Sequence, residues 1–213
     1  MAATNSETSA TYTVSLEELS PYARIREIAL SLFAERGPAN TSIRMIASAA
    51  GISSGAVTHH FRSKDELEQA VLDVVLERLS RAITGVGLAA PTTLEALNSR
   101  QAAHTEFLEA NPVIAAYLQH VYFDGGPQAA RVFQAMGALQ REQMDQMVEA
   151  GLARRLPDPE MGLLLYQALT SAPMLLRPLL EGVEGLDPDS PEFRKRFEAA
   201  RNDLLTRPLF LSR

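Results

Sequence analysis

The stretch from Thr41 to Phe61 constrains this chain more than any other, because it predicts two short helices joined by a tight turn. Its first half places apolar residues on one helical face at the spacing of a 3.6-residue period, namely at Ile43, Ile46, Ala47 and Ala50. Thr41 or Ser42 can cap the first free amides of that helix. Gly51 then supplies the backbone freedom that a sharp turn needs. The pattern therefore predicts a steep corner between two helices.

The second helix of this pair is predicted over residues 53–60, with Ser53 as its cap. Val57 and Phe61 are expected to point inward, and Ile52 is expected to fill the angle between the helices. The outward positions carry small or polar hydrogen-bonding side chains, at Ser54, Thr58 and His59. Two helices joined in this way form a helix-turn-helix, whose second helix enters the major groove of DNA.

A longer run, from Ile28 to Leu67, contains the segments ALSLFAERG, TSIRMIASAAGISSGAVTHHF and SKDEL in order and without gaps. This run resembles the TetR family of transcriptional repressors. The resemblance implies an all-helical dimer with amino-terminal DNA-binding domains and a carboxy-terminal domain that senses a small molecule. The sequence departs from the family at Thr58, where the family very often has a tyrosine that contacts a phosphate.

The formal net charge of −6 is unusual for a DNA-binding protein, but the acidic excess lies mostly outside the helix pair. Residues 21–81 carry eight Lys and Arg against seven Asp and Glu, whereas residues 82–213 carry twelve against sixteen. Arg44, Arg62 and Lys64 flank the two short helices, where a local positive surface can form. Since residues 53–60 contain no Lys or Arg, we expect a modest nonspecific affinity for DNA.

The sequence contains no cysteine, which excludes disulfides, thiolate metal sites and cysteine nucleophiles. Its first residues show no positive region followed by an apolar run. The longest apolar stretch, residues 162–176, is interrupted by polar residues and a proline. We therefore expect a cytoplasmic protein without a membrane segment.

The chain is predicted to have three parts. Residues 1–19 are rich in Ser, Thr and Ala without a sustained period and are expected to form a disordered tail. A helix-turn-helix domain with a fourth, connecting helix is expected over residues 20–83, followed by a ligand-binding and dimerisation domain over residues 84–213. Two glycines and a proline between residues 84 and 91 predict the boundary.

Caps mark the start of two helices in the amino-terminal part. Ser20 before Pro21 is a cap and first-turn pair, and the run SKDE from Ser63 is a capping box that opens the connecting helix. Lys64 lies in the first turn of that helix, where free amides and the helix dipole favour a phosphate. We expect Lys64 to clamp the DNA backbone, and the alternative is an ordinary solvated lysine.

Five helical segments are predicted beyond the boundary, each bounded by Pro, Gly or Asp-Pro: Thr92–Ala110, Pro112–Phe123, Pro127–Leu152, Pro159–Gly182 and Pro191–Leu205. The residues from Met161 to Leu180 are apolar on too many sides for one solvent-facing helix. The core of the protein can cover one side, and a second copy of the chain can cover the other. In TetR-like proteins the last two main helices form the dimer interface, so the resemblance implies the same arrangement.

A ligand pocket is predicted from polar residues on an apolar face. Gln101 and His104 share a predicted helix face with three leucines, Leu94, Leu97 and Leu108. Because polar groups on a core face need partners, these two can orient a ligand. The remaining candidates for such a pocket are apolar or aromatic, with one further histidine: Phe107, Tyr117, His120, Phe123, Phe133, Met136 and Met144. The alternative for each residue is ordinary core packing.

Motifs of catalysis and metal binding are missing from the sequence. It has four histidines but no HExxH, no Cys/His cluster, no paired-carboxylate motif and no Gly-rich phosphate loop. His59 and His60 are adjacent on a helix and face different sides, so they cannot chelate one metal together. We expect no catalytic residue, no metal and no cofactor.

Our leading hypothesis is a homodimeric transcriptional repressor that binds a palindromic operator and is released by a small, largely apolar molecule. The residues predicted to contact DNA are Thr41, Ser42, Arg44, Ser53, Ser54, Gly55, Thr58, His59 and Lys64. The alternative hypothesis is a helical small-molecule carrier or interaction module whose DNA-binding head is not functional. Retention on heparin at low salt distinguishes the two, because a carrier with this net charge should not be retained.

Overall fold

The computed structural model describes residues 16, 18–85, 94–151, 153–180, 182–188 and 190–209, without the side chains of residues 94–99, 202 and 205–209. Most of the predicted tail and of the predicted break at residues 84–91 lies outside these residues. The described residues form α-helices and connecting loops, with no strand among them. The helices are α1 (Pro21–Arg36), α2 (Ile43–Ala50), α3 (Ser54–His60), α4 (Lys64–Thr84), α5 (Leu94–Ala110), α6 (Pro112–Asp124), α7 (Gly126–Glu149), α8 (Pro159–Leu180) and α9 (Pro191–Leu209). The all-α prediction is confirmed.

Serine caps start each of the first four helices in the same way. The hydroxyls of Ser20, Ser42, Ser53 and Ser63 each accept a hydrogen bond from the backbone N–H three residues further on, at 3.1–3.3 Å. A cap of this type contributes about 1 kcal/mol, because it satisfies an amide that the helix itself leaves unpaired. At α4 the Glu66 carboxylate also accepts from the N–H of Arg62 at 2.7 Å, which completes the predicted box one residue upstream of the cap.

Contacts between Cα atoms divide the chain into two compact units. The first contains the described residues of Met1–Gly87 and Ser99–Ala130, and the second contains those of Leu88–Asn98 and Arg131–Arg213. The predicted domain boundary at residues 84–91 rests on the sequence and stays a prediction.

Helix α1 lies at the centre of the first unit, where it packs against α2, α4 and α6. Phe33 on α1 is fully buried and stacks on Tyr117 of α6, with 6.2 Å between the ring centroids. Gly37 ends α1 with a φ of +78°, and a Cβ atom there would lie only 3.1 Å from Nδ1 of His120 on α6. Glycine is therefore required at this position for both its backbone conformation and its small size.

In the second unit α7 packs closely against α8. Gly137 of α7 permits this approach, because a Cβ atom there would lie 3.1 Å from Nε2 of Gln167. The same Nε2 donates a hydrogen bond to the backbone carbonyl of Phe133 at 2.9 Å. Helix α9 contacts α8 as well.

The outer side of α8 exposes an apolar surface, which we call the α8 apolar face: Met161, Leu164, Leu165, Leu176 and Leu179. Leu165 is 63% exposed and Leu179 is 70% exposed. By length and composition, α8 is also the one described helix that could cross a membrane. Tyr166 and Gln167 are buried on its opposite side, so α8 is a component of the packed second unit as well.

Candidate nucleic-acid interface

The corner between α2 and α3 has the geometry of a helix-turn-helix. Gly51 ends α2 in the left-handed conformation, with a φ of 67° and a ψ of 29°. The N–H of Ile52 donates to the carbonyl of Ala47 at 3.0 Å, which closes the end of α2. The side chain of Ile52 is 38% exposed, so it does not fill the angle between the helices as expected. The turn is held by backbone hydrogen bonds and the Ser53 cap instead.

Helix α3 has one buried side and one exposed side. Val57 and Phe61 are completely buried, as predicted from their spacing. The exposed side carries the polar groups predicted to face DNA, together with the glycine between them: Ser54, Gly55, Thr58 and His59. The Thr58 hydroxyl donates to the carbonyl of Gly55 at 3.1 Å, so it is held against its own helix.

Two residues of α1 hold the helix pair in place, and neither was identified from the sequence. The ring of Tyr22 stacks on Phe61, with 4.4 Å between the centroids and 29° between the planes. The Arg24 guanidinium donates to the carbonyl of Ala50 at the end of α2, at 3.3 Å. Because these contacts fix both ends of the pair, α3 presents its exposed side from a rigid support.

Positively charged side chains flank the exposed side of α3. Arg44 on α2 and Arg62 after α3 are exposed. The Lys64 ammonium forms an ion pair with Glu68 one turn along α4, with 3.4 Å between Nζ and Oε1. A pair of this kind is weak in water, so Lys64 can exchange Glu68 for a phosphate at small cost.

Two further candidates have different environments. Ser42 is exposed and caps α2, which leaves its hydroxyl next to free helix amides. Thr41 is only 2% exposed, and its hydroxyl donates to the carbonyl of Gly37 at 2.9 Å. The Thr41 side chain therefore supports the loop between α1 and α2.

The nine predicted pocket residues are divided between the two units. Gln101, His104 and Phe107 of α5 are half-buried in the first unit, and the side chains of Leu94 and Leu97, which defined their predicted face, lie outside the described residues. On α6, Tyr117 is buried against Phe33, His120 lies against Gly37, and Phe123 is exposed. Phe133, Met136 and Met144 belong to the second unit.

A cavity of about 70 Å³ lies within the second unit, between α7, the loop before α8 and the first turns of α8. Of the nine predicted pocket residues, Met144 lines it. Its apolar wall also includes Met147 and Leu163. Gln140 and three charged residues, Arg141, Asp145 and Arg155, line it as well, together with two buried polar residues, Gln143 and Tyr166. Neither Gln143 nor Tyr166 was predicted from the sequence. A signal for Gln143 was present, because it continues the buried stripe of α7 that contains Val132, Met136 and Met147.

Similarity to known proteins covers both the helix pair and most of the chain. Residues 25–71 match the family described as bacterial regulatory proteins, tetR family. The chain is 34% identical over 176 residues to the HTH-type transcriptional regulatory protein RaaS of Mycobacterium tuberculosis (strain ATCC 25618 / H37Rv), an alignment that covers 76% of this chain and 79% of RaaS. This chain belongs to the TetR family.

Other relatives of this TetR-family protein agree with the assignment. It is 47% identical over 74 residues to the HTH-type transcriptional repressor KstR2 of Rhodococcus jostii (strain RHA1), which covers 33% of this chain and 36% of KstR2. The structure of SmeT, the repressor of the Stenotrophomonas maltophilia multidrug efflux pump SmeDEF, superimposes with a TM-score of 0.69 at 18% identity, covering 93% of this chain and 94% of SmeT. The SmeT match shows the fold alone. Together the family and the relatives identify a DNA-binding transcriptional regulator.

Proposed function

We propose that this TetR-family regulator is a cytoplasmic repressor that binds a palindromic operator as a homodimer and is released by a small molecule. The observation that carries the proposal is the exposed side of α3. It combines small polar side chains with a fully buried opposite side, so the helix can lie in a major groove without losing its support.

The proposed DNA surface has two kinds of contact. Ser54, Gly55, Thr58 and His59 on α3 face the base edges, whereas the positions around α3 contact phosphates, namely Ser42, Arg44, Ser53 and Lys64. The short Thr58 side chain stands where the family often has a phosphate-binding tyrosine. We therefore infer that Arg44 and Lys64 supply a larger share of the affinity for the DNA phosphate backbone than they would beside such a tyrosine.

The homodimer is proposed from the α8 apolar face. Such an apolar surface on a soluble protein is costly unless a partner covers it. A second copy of the chain can pack its own α8 against the same face, because a two-fold interface joins identical surfaces. The α3 helices of two subunits related by this two-fold axis can each enter one half-site of a palindrome, when the half-sites lie about one turn of the DNA helix apart.

Release by an effector requires a difference in affinity between two arrangements of the dimer. The effector must bind the arrangement that cannot fit the operator more tightly than the one that can. A largely apolar effector is proposed because the second unit contains a cavity lined mostly by apolar side chains.

The salt dependence of DNA binding tests the proposed surface. Lys64→Ala should weaken binding to all duplexes and lower the slope of log affinity against log salt by about 1 per subunit, because one phosphate contact is lost. His59→Ala should weaken binding to the operator and leave binding to unrelated duplexes unchanged. Gln69→Ala, an exposed position on α4, is the matched control. If the salt slope of the Lys64→Ala variant is unchanged, Lys64 does not contact a phosphate. If the unaltered protein binds no operator, the carrier hypothesis is favoured.

A further inference from the structure

The cavity in the second unit contains polar atoms that the protein itself does not satisfy. The Tyr166 hydroxyl, Nε2 of Gln143 and Oε1 of Gln140 have no hydrogen-bond partner among the described residues. All three residues line the cavity, and Tyr166 and Gln143 are only 7% and 8% exposed. Buried polar groups in native proteins are nearly always paired, so unpaired groups at one cavity indicate a ligand that pairs them.

The charge around the cavity sets the polarity of that ligand. Burial raises the pKa of Tyr166 to about 12, and the positive charge of Arg201 opposes this rise. The hydroxyl is therefore protonated at neutral pH and available as a donor. The guanidinium of Arg201 on α9, itself buried, favours negative charge beside that hydroxyl. Arg141, Arg155 and Asp145 line the cavity itself, so its lining carries two positive groups and one negative group.

The size and wall of the cavity limit the rest of the ligand. A cavity of about 70 Å³ is smaller than the roughly 150 Å³ cavity that accepts benzene, so only a few heavy atoms fit without rearrangement. Met144 and Met147 are flexible side chains that can adjust to a somewhat larger group.

We propose that the effector binds in this cavity and is a compact apolar molecule with one hydrogen-bond-accepting oxygen, held by Tyr166 and Gln143. A carbonyl and a carboxylate share this acceptor chemistry. The assignment rests on the proposed effector response of the repressor.

Binding should be measured with four three-carbon probes, which suit a cavity of about 70 Å³, on the full chain, labelled at the methionine methyl groups and observed by NMR. Propanoate and acetone should shift the Met144 and Met147 signals, whereas propylamine and propane should not shift them comparably, because neither supplies an acceptor oxygen. Tighter binding of propanoate than of acetone identifies a carboxylate effector, and the reverse order identifies a neutral carbonyl. Equal shifts with all four probes, or no shift at either methionine, would overturn the proposal.

Variants that remove each donor test the orienting groups. Tyr166→Phe and Gln143→Leu should each weaken binding of the better probe by about three- to tenfold, the value of one hydrogen bond. Gln134→Leu alters an exposed glutamine of α7 that does not line the cavity and should leave the affinity unchanged. Thermal unfolding checks that the variants fold, and the two variants are independent tests because they alter different helices. Unchanged affinity in both would contradict the assignment.

Operator binding measured with and without the better probe separates this proposal from the proposed function. Release of the operator by the probe supports both. Binding of the probe at the methionines without release overturns the assignment of the cavity as the effector site. Failure to bind any operator refutes the proposed repressor, and the NMR titration then still decides whether the cavity takes this class of ligand.

Discussion

Arg78 of α4 and Glu27 of α1 form a two-point ion pair in the first unit. Nη1 lies 3.0 Å from Oε2 and Nη2 lies 2.5 Å from Oε1, and the two side chains are 9% and 12% exposed. Arg26 also lies 3.6 Å from the same carboxylate. The pair fixes the connecting helix to the helix that supports α2 and α3, so it determines where the DNA-binding helices stand relative to α4.

Arg78→Ala should lower the free energy of unfolding by about 3 kcal/mol, because it leaves the Glu27 carboxylate buried with only part of its compensation. The matched control is Arg81→Ala, which removes the ion pair between Arg81 and Glu77. The side chains of these two residues are 69% and 54% exposed. That change should cost less than about 0.5 kcal/mol. Urea unfolding of both variants makes the comparison. Equal losses would show that the buried pair does not hold α4 to α1.

Gly37→Ala should destabilise the first unit by about 2 kcal/mol or more, for two reasons. The positive φ is unfavourable for alanine, and the added Cβ atom would lie 3.1 Å from His120. Gly51 also has a positive φ, but a Cβ atom there would meet nothing within 4 Å, so Gly51→Ala should cost only about 1 kcal/mol. Thermal unfolding compares the two.

The double variant Gly37→Ala/His120→Ala separates backbone strain from the contact with His120. We expect the double variant to lose less stability than the sum of the single variants, because the crowded side chain has been removed. If the stability losses of the single variants add up to that of the double variant, the His120 side chain does not crowd the methyl group introduced at Gly37.

Leu165→Asp should dissociate the proposed dimer. It places a carboxylate in the centre of the α8 apolar face, so the dimer dissociation constant should rise by at least about tenfold. Phe123→Asp is the control, since Phe123 is similarly exposed, at 62%, but lies on α6. Sedimentation velocity over a concentration series measures both. A Leu165→Asp protein that dimerises like the unaltered chain would place the subunit interface elsewhere.

Tyr166 should make the protein less stable in alkali. Its pKa is raised from 10.0 to about 12 in the folded state, so the unfolded chain releases this proton first. The stabilising effect of the neutral hydroxyl is thus complete below pH 10 and is lost between about pH 10 and pH 12, by roughly 2–3 kcal/mol over that interval.

The difference in unfolding free energy between the unaltered protein and Tyr166→Phe should change over that pH interval and stay constant below it. Near-ultraviolet absorbance follows tyrosine ionisation directly, and the chain has five tyrosines that contribute to this signal. Ionisation of Tyr166 near pH 10 would show that Tyr166 is not buried in solution.

The local features of this fold were predictable because they depend on residues close together in sequence. Ser53 and Ser63 act as caps as predicted, and the inward positions of Val57 and Phe61 follow from helical spacing. The contact of Tyr22 with Phe61 was not predictable, because it joins residues distant in sequence and an aromatic ring at an exposed helix start has no distinctive pattern.

The interior of the second unit was harder to predict for a related reason. Helical periodicity shows that Gln143 lies on a buried face, but it cannot show that Nε2 of this residue lacks a partner. Tyr166 adjoins that polar position only after α7 and α8 have packed together. The same limit applies to Thr41, whose sequence context suits a cap but whose hydroxyl bonds inward.

The most direct test of the central claim is selection of duplexes from a random pool by the purified protein at a fixed salt concentration, followed by sequencing. A dimer that reads DNA through α3 should recover a palindrome with half-sites about one helical turn apart. His59→Ala should recover a degenerate version of the same palindrome, because base contacts are lost while the dimer is retained. Recovery of no common sequence by folded, dimeric protein would contradict the account.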